Sequence, residues 1–130
     1  MPRYSEPLFV ISVAARLVEM HPQTLRKYER EGLIAPSRTS GNLRLYSDHD
    51  IERLRQVKYL VEERGLNLAG VQLALELTRR LREVRGRLGS PAGMSHSGGT
   101  GQESVRREMD GLLAMLGYVE EAEVRAGRGG

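Results

Sequence analysis

From His21 to Tyr46 the chain reads HPQTLRKYEREGLIAPSRTSGNLRLY, a helix-forming run closed by a glycine and followed by a turn cluster set between short apolar stretches. On a helix, at about 100° per residue, Leu25 and Tyr28 fall on one side, and Gln23, Arg26, Lys27 and Arg30 fall on the other. One side is suited to packing and the other to a polyanion. Pro22 fits a first helical turn, where a missing N–H costs little, and Gly32 fits the left-handed residue that closes a last turn. A helix of about three turns is predicted.

After Gly32, Leu33 and Ile34 predict the start of a short strand, Pro36 bars pairing on one side, and Thr39, Ser40, Gly41 and Asn42 predict the turn of a hairpin. In the second strand Leu43 and Leu45 share one face, and Arg44 and Tyr46 share the other. Upstream, Ser12 is placed to cap a helix running through Met20, with Val13, Leu17 and Met20 spaced for burial. Two short helices and a hairpin make a winged helix-turn-helix, whose second helix enters the major groove while the first braces it.

Charge supports a nucleic-acid partner. The net charge is only +3, but residues 21–46 hold five Lys/Arg against two Glu, while residues 103–130 hold four Arg against six Asp/Glu. The basic segment is the one expected to bind polyanion. There is no cysteine, which removes disulfides, thiolate metal sites and thiol redox chemistry. The three histidines, His21, His49 and His96, are scattered, so neither a metal site nor a cofactor is expected. No apolar run reaches the roughly 20 residues of a membrane span and no signal peptide is read at the start, so a cytoplasmic, nucleoid-associated protein is expected. With one Phe and no Trp, a stacking platform for single strands is not expected, which leaves duplex DNA. Adjacent carboxylates such as Glu62 and Glu63 face different ways on a helix, and no nucleophile triad or phosphate-cradling loop is present, so the chain is not read as an enzyme.

Beyond the hairpin, Ser47 and Asp50 have capping-box spacing and open a helix predicted to reach about Arg64, with Ile51, Leu54, Val57 and Leu60 or Val61 as its buried stripe. Gly65 ends it and Asn67 is placed to cap the next, where Val71, Ala74, Leu77, Leu81, Val84 and Leu88 recur at helical steps. The later part of that stripe (Leu77, Leu81, Val84, Leu88) is read as a dimer seam, because the surrounding Arg79, Arg80, Arg82, Arg85 and Arg87 suit a small monomer core poorly. The run GSPAGMSHSGGTG from Gly89 to Gly101 has linker composition. Past it, Val105, Met109, Leu112, Leu113, Leu116 and Val119 form a stripe on a short helix interrupted by Gly111 and Gly117. Too short to stand alone, that helix must dock on its own core, on a second subunit or on a foreign protein. The expected fold is mainly α: a winged helix-turn-helix domain over residues 1–77, a dimerisation helix extension over 78–88, a flexible linker over 89–102, and a short helix and tail over 103–130.

The run TLRKYEREGL, Thr24 to Leu33, resembles the T-[LI]-R-x-Y-E-x-x-G-L recognition helix of the MerR superfamily of bacterial transcription regulators. Within it, FVISVAARLVEMHPQTLRKYEREGLIAPSRT and LRLYSDHDIERLRQVKYLVEERGLNLAGV are similar to heat-shock repressors of the HspR type, the resemblance covering roughly residues 8–77. It implies a homodimer that represses chaperone genes from an inverted repeat, with a DnaK-type chaperone as co-repressor. By motif position it implies DNA contacts from Arg26 and Tyr28 in the recognition helix, from Arg38, Arg44 and Tyr46 in the wing, and from Lys58.

From the residues themselves, Gln23, Arg26 and Lys27 are the candidates for base edges, since Arg and Lys pair with guanine and Gln with adenine. Thr24 and Arg30 complete the helix face. His21 is either a helix cap or a phosphate contact, and Tyr28 either packs or reaches a phosphate. A ligand-responsive activator and a protein-interaction adaptor with a vestigial DNA domain are the competing functions. The wing tip SGNLRLY departs from the Asn-Gly-Tyr of many relatives, and the Gly-rich run replaces one long coiled coil.

Overall fold

The computed structural model describes residues 6–88 and 99–119. Its order is β1 (Pro7–Val10), α1 (Ile11–Val18), α2 (Pro22–Arg30), β2 (Ser37–Arg38), β3 (Arg44–Ser47), α3 (Asp48–Glu62), α4 (Leu68–Leu88) and α5 (Gly99–Met115). The fold is mainly α with one small antiparallel sheet, as a winged helix-turn-helix requires. The described residues form two compact units, divided between Leu68 and Ala69.

In the first unit the strand order is β1-β3-β2. β3 is central, pairing Val10 with Leu45 on one side and Arg38 with Arg44 on the other. Strand β1 is a finding beyond the hairpin that the sequence predicts; four residues are too few to display alternation. It also shifts the start of α1. The helix begins at Ile11 directly after the strand, its N-cap is Val10, and no side chain among the described residues caps it. Ser12 is thus not the cap, and the helix ends at Val18, short of Met20. Its packed face is Ala14, Ala15 and Val18, whereas Val13 and Leu17, expected inside, are exposed.

Two other local differences have physical causes. Leu33 and Ile34 are buried but form no strand, because Gly32 at φ +79° turns the chain inward and Arg53 Nε takes the Leu33 carbonyl at 2.6 Å. The ladder starts only at Ser37. The predicted hairpin turn forms, with Thr39 N–H donating to the Leu43 carbonyl (2.9 Å) and Asn42 at φ +67°.

Helix α3 carries a complete capping box: Ser47 Oγ accepts from the Asp50 N–H at 3.1 Å, and the Asp50 carboxylate accepts from the Ser47 N–H at 2.9 Å. Asp replaces the usual Glu and still reaches. Ile51, Leu54, Val57 and Leu60 are its buried stripe, and Gly65 at φ +68° follows its end.

In the second unit α4 runs unbroken through Leu88, Gly86 included. Val71, Ala74, Leu75 and Thr78 are buried, while Leu77 and Val84 are exposed and Leu81 and Leu88 half-buried. Helix α5 starts at Gly99, inside the stretch expected to be linker; the rest of that stretch, residues 89–98, lies outside the described residues. Gly111 does not interrupt α5, whereas Gly117 at φ +80° closes it: the Tyr118 N–H reaches the Leu113 carbonyl at 3.0 Å. The tail helix docks on its own chain. Arg85 pairs with Asp110 at 2.9 Å, and the Arg82 guanidinium sits 4.8 Å from the Tyr118 ring centre. Met109 and Leu113 are the buried part of its stripe. No helix among the described residues is long and apolar enough to cross a membrane.

Candidate nucleic-acid interface

Helix α2 is built to hold one face open. His21 caps it, Nδ1 accepting from the Gln23 N–H at 3.0 Å, and Pro22 occupies the first turn. The cap reading of His21 is therefore the one realised, with the imidazole at the exposed helix start. At the other end the Leu33 N–H returns to the Tyr28 carbonyl (2.9 Å) and the Gly32 N–H to the Glu29 carbonyl (3.0 Å), a Schellman closure that needs the left-handed Gly32. Leu25 is fully buried and Tyr28 is only 7% exposed, so these two anchor the inner side. Burial pushes the Tyr28 phenol above its ordinary pKa, with Glu62 and Glu31 adding to the rise. Packing, not phosphate, claims the bulk of its ring.

The outer side carries exposed Gln23, Lys27 and Arg30, with Thr24 and Arg26 half-exposed among them. Gln23 and Arg26 support each other, Arg26 Nη1 donating to Gln23 Oε1 at 3.3 Å. Such a pair presents the donors and acceptors that distinguish bases in the major groove.

Glu29 joins this helix to the wing. Its two carboxylate oxygens accept separately from Arg44 Nε at 2.6 Å and Arg38 Nη2 at 2.7 Å. Burial alone would push the Glu29 carboxyl up, but the hydrogen bonds and charges of Arg44 and Arg38 outweigh it and hold the pKa below its ordinary value. This residue was not singled out by sequence reasoning. Its partners lie 9 and 15 positions away, beyond the reach of helix periodicity.

Two expected contact residues, Tyr46 and Lys58, make protein contacts in the structure. Tyr46 has no exposure at all: it shares a sheet face with Arg44, as strand alternation requires, and at its own position that face turns inward. Its side chain belongs to the core, where burial and then Glu29 raise the phenol's pKa. Lys58 Nζ donates to the carbonyls of Val18 (3.1 Å) and Glu19 (3.2 Å) at the end of α1. The structure thus brings Gln23, Thr24, Arg26, Lys27 and Arg30 together on one helix face, ties Arg38 and Arg44 to that helix, and sets Tyr28 and Tyr46 inside.

Residues 9–78 match the family described as MerR HTH family regulatory protein. Over 81 residues the chain is 52% identical to a protein of Streptomyces coelicolor named as heat shock protein HspR, covering 62% of this chain and 54% of that one. Over 73 residues it is 40% identical to the HTH-type transcriptional regulator GlnR of Bacillus cereus, covering 56% of each. Over 69 residues it is 38% identical to the regulator MlrA of Escherichia coli, covering 52% of this chain and 28% of that one. The chain thus spans about half the length of the first two relatives and less of the third. The GlnR and MlrA relatives are named as HTH-type transcriptional regulators, and the match to the family model spans both helices of the helix-turn-helix and the wing. With an open cationic helix, a wing tied to it and more than half its length within the family's pattern, the chain belongs to the MerR helix-turn-helix family of DNA-binding transcriptional regulators.

Proposed function

We propose that the chain is a sequence-specific repressor of heat-shock chaperone genes, binding an inverted repeat as a homodimer with a DnaK-type chaperone as co-repressor. The observation that carries the DNA reading is the joint presentation of Gln23, Arg26, Lys27 and Arg30 on one open helix face with Arg44 of the wing anchored to the same helix. Phosphate contacts from the wing would set register, and Arg26 and Gln23 would read base edges. The heat-shock assignment and the chaperone rest on likeness to the HspR-named protein. In the dimer, Leu77, Leu81, Val84 and Leu88 form the seam between subunits, and the half-sites lie about one helical turn or a multiple of it apart.

The test is selection of bound duplexes from a random pool, with and without a DnaK-type chaperone. The expected product is a palindromic site whose recovery and affinity rise when chaperone is added. A palindrome whose affinity does not respond to chaperone would retain the DNA reading and remove the co-repressor. Failure to enrich any site would remove both.

A further inference from the structure

The Glu29 bridge divides the wing's cations into two different jobs. Arg38 is held from both ends of its fork, Nη2 on Glu29 at 2.7 Å and Nη1 on the Asn42 carbonyl at 3.4 Å, so its guanidinium spans from the recognition helix to the hairpin turn. Arg44 is held by Nε alone, at 2.6 Å. Its two terminal nitrogens make no hydrogen bond to the described residues, and its side chain keeps 27% exposure. A guanidinium gripped through Nε and free at Nη1 and Nη2 is oriented for bidentate capture of a phosphate.

We propose that Glu29 is a positioning residue for DNA recognition: it aims the terminal nitrogens of Arg44 at a backbone phosphate and uses Arg38 as a strut that fixes the wing against α2. The proposal rests on the DNA-binding reading above. Glu29 also places one negative charge between two cations on the binding face, which lowers attraction for any duplex. Its benefit is therefore geometric, felt at a site where the recognition helix is in register and lost on DNA where it is not. Lysine could supply the charge of Arg44 but has no Nε–H on a planar fork for Glu29 to hold.

The experiment measures affinity of the full chain for its selected site and for a scrambled duplex across a salt series, with thermal melting of each variant. Glu29→Gln is expected to lower affinity for the selected site while leaving or raising affinity for scrambled DNA, so that the ratio falls about tenfold, the scale of a lost charge-assisted pair. Arg44→Lys is expected to lower the ratio similarly although the charge is kept. The Glu29→Gln/Arg44→Lys double variant is expected to lose no more than either single one, since both changes break the same alignment. An unchanged ratio in Glu29→Gln, or Arg44→Lys binding like the parent, would overturn the assignment. Should Glu29→Gln fail to fold, Arg44→Lys alone decides. A parent chain with no preference for any site would instead refute the DNA-binding reading itself.

Discussion

Lys58 Nζ donates to the Val18 carbonyl at 3.1 Å, across 40 positions of sequence, and a second bond at 3.2 Å takes the carbonyl of Glu19, whose backbone sits at φ +55°. Arg55 Nη2 reaches the Leu17 carbonyl at 3.3 Å beside them. Helix α3 thus supplies cations to the end of α1, where unpaired carbonyls and the helix dipole favour positive charge. These bonds hold the left-handed turn that sets α2 relative to α1.

From this geometry Lys58→Met is expected to lower stability by about 1–3 kcal/mol, the range for hydrogen bonds made by a charged donor. Its slope of log affinity against log salt should match the parent's. Thermal melting and a salt titration check both. A slope flattened by about one unit would return Lys58 to the phosphate-contacting set.

Arg26 and Gln23 touch each other on the open face, so they should act as a unit. Arg26→Ala is expected to cost about 1–3 kcal/mol at the selected site and to broaden its sequence preference. Gln23→Ala should cost less in the Arg26→Ala background than in the parent. Competition binding against single-base variants of the site checks this. Equal losses on selected and random duplexes would mean that Arg26 meets phosphate.

Tyr46 offers a test of its reassignment to the core. Its hydroxyl is buried with no hydrogen-bond partner among the described residues, an unfavourable state for a polar group. Tyr46→Phe keeps the ring and removes the orphan, so stability should hold or rise by about 1 kcal/mol, and affinity for DNA should not change. A melting curve and a binding isotherm suffice, and a loss of affinity would place the hydroxyl at the interface after all.

What was readable in sequence follows the range of the interaction. The Ser47–Asp50 box, the Gly32 closure of α2 and the α3 stripe of Ile51, Leu54 and Val57 are local, set by neighbours within one or two turns, and the structure has each of them. The open face of α2 was readable for the same reason. Motif position implies a DNA contact from Tyr46, but neither it nor strand alternation tells which way the shared face points at that residue, and the side chain is fully buried. Strand β1 depends on β3, nearly 40 positions away, and its junction with α1 shifted that helix's start and exposed Val13 and Leu17. Glu29 and Lys58 owe their roles to partners that only the tertiary fold supplies. The motif placed both residues without stating what they hold.

Acid should weaken the link between helix α2 and the wing. The Glu29 carboxyl is held below its ordinary value, so its stabilising contribution is fully present above the usual glutamate pKa of about 4.3 and is lost as pH falls through the lower folded value. The melting-temperature gap between parent and Glu29→Gln should therefore be constant near neutrality and shrink as pH drops below about 4. A gap independent of pH down to 3 would mean that the carboxylate charge contributes nothing to the link between helix and wing.

The apolar side chains left outside on the second unit bear on the dimer. On α4, Leu77 and Val84 are 45% and 42% exposed, one heptad apart, with half-buried Leu81 and Leu88 completing a three-and-four spacing. On α5, Val105 and Leu112 are 48% and 46% exposed at the same heptad interval. Because Leu77 and Val84 are exposed in the single chain, charging them should alter the fold by no more than about 0.5 kcal/mol, so a change of oligomeric state would report on the seam alone. Leu77→Asp/Val84→Asp is expected to be monomeric at micromolar concentration by sedimentation, with its circular dichroism spectrum retained. It should also lose palindrome binding far more than single half-site binding. A persistent dimer would move the seam to Val105 and Leu112, where the matching double aspartate variant would then dissociate it.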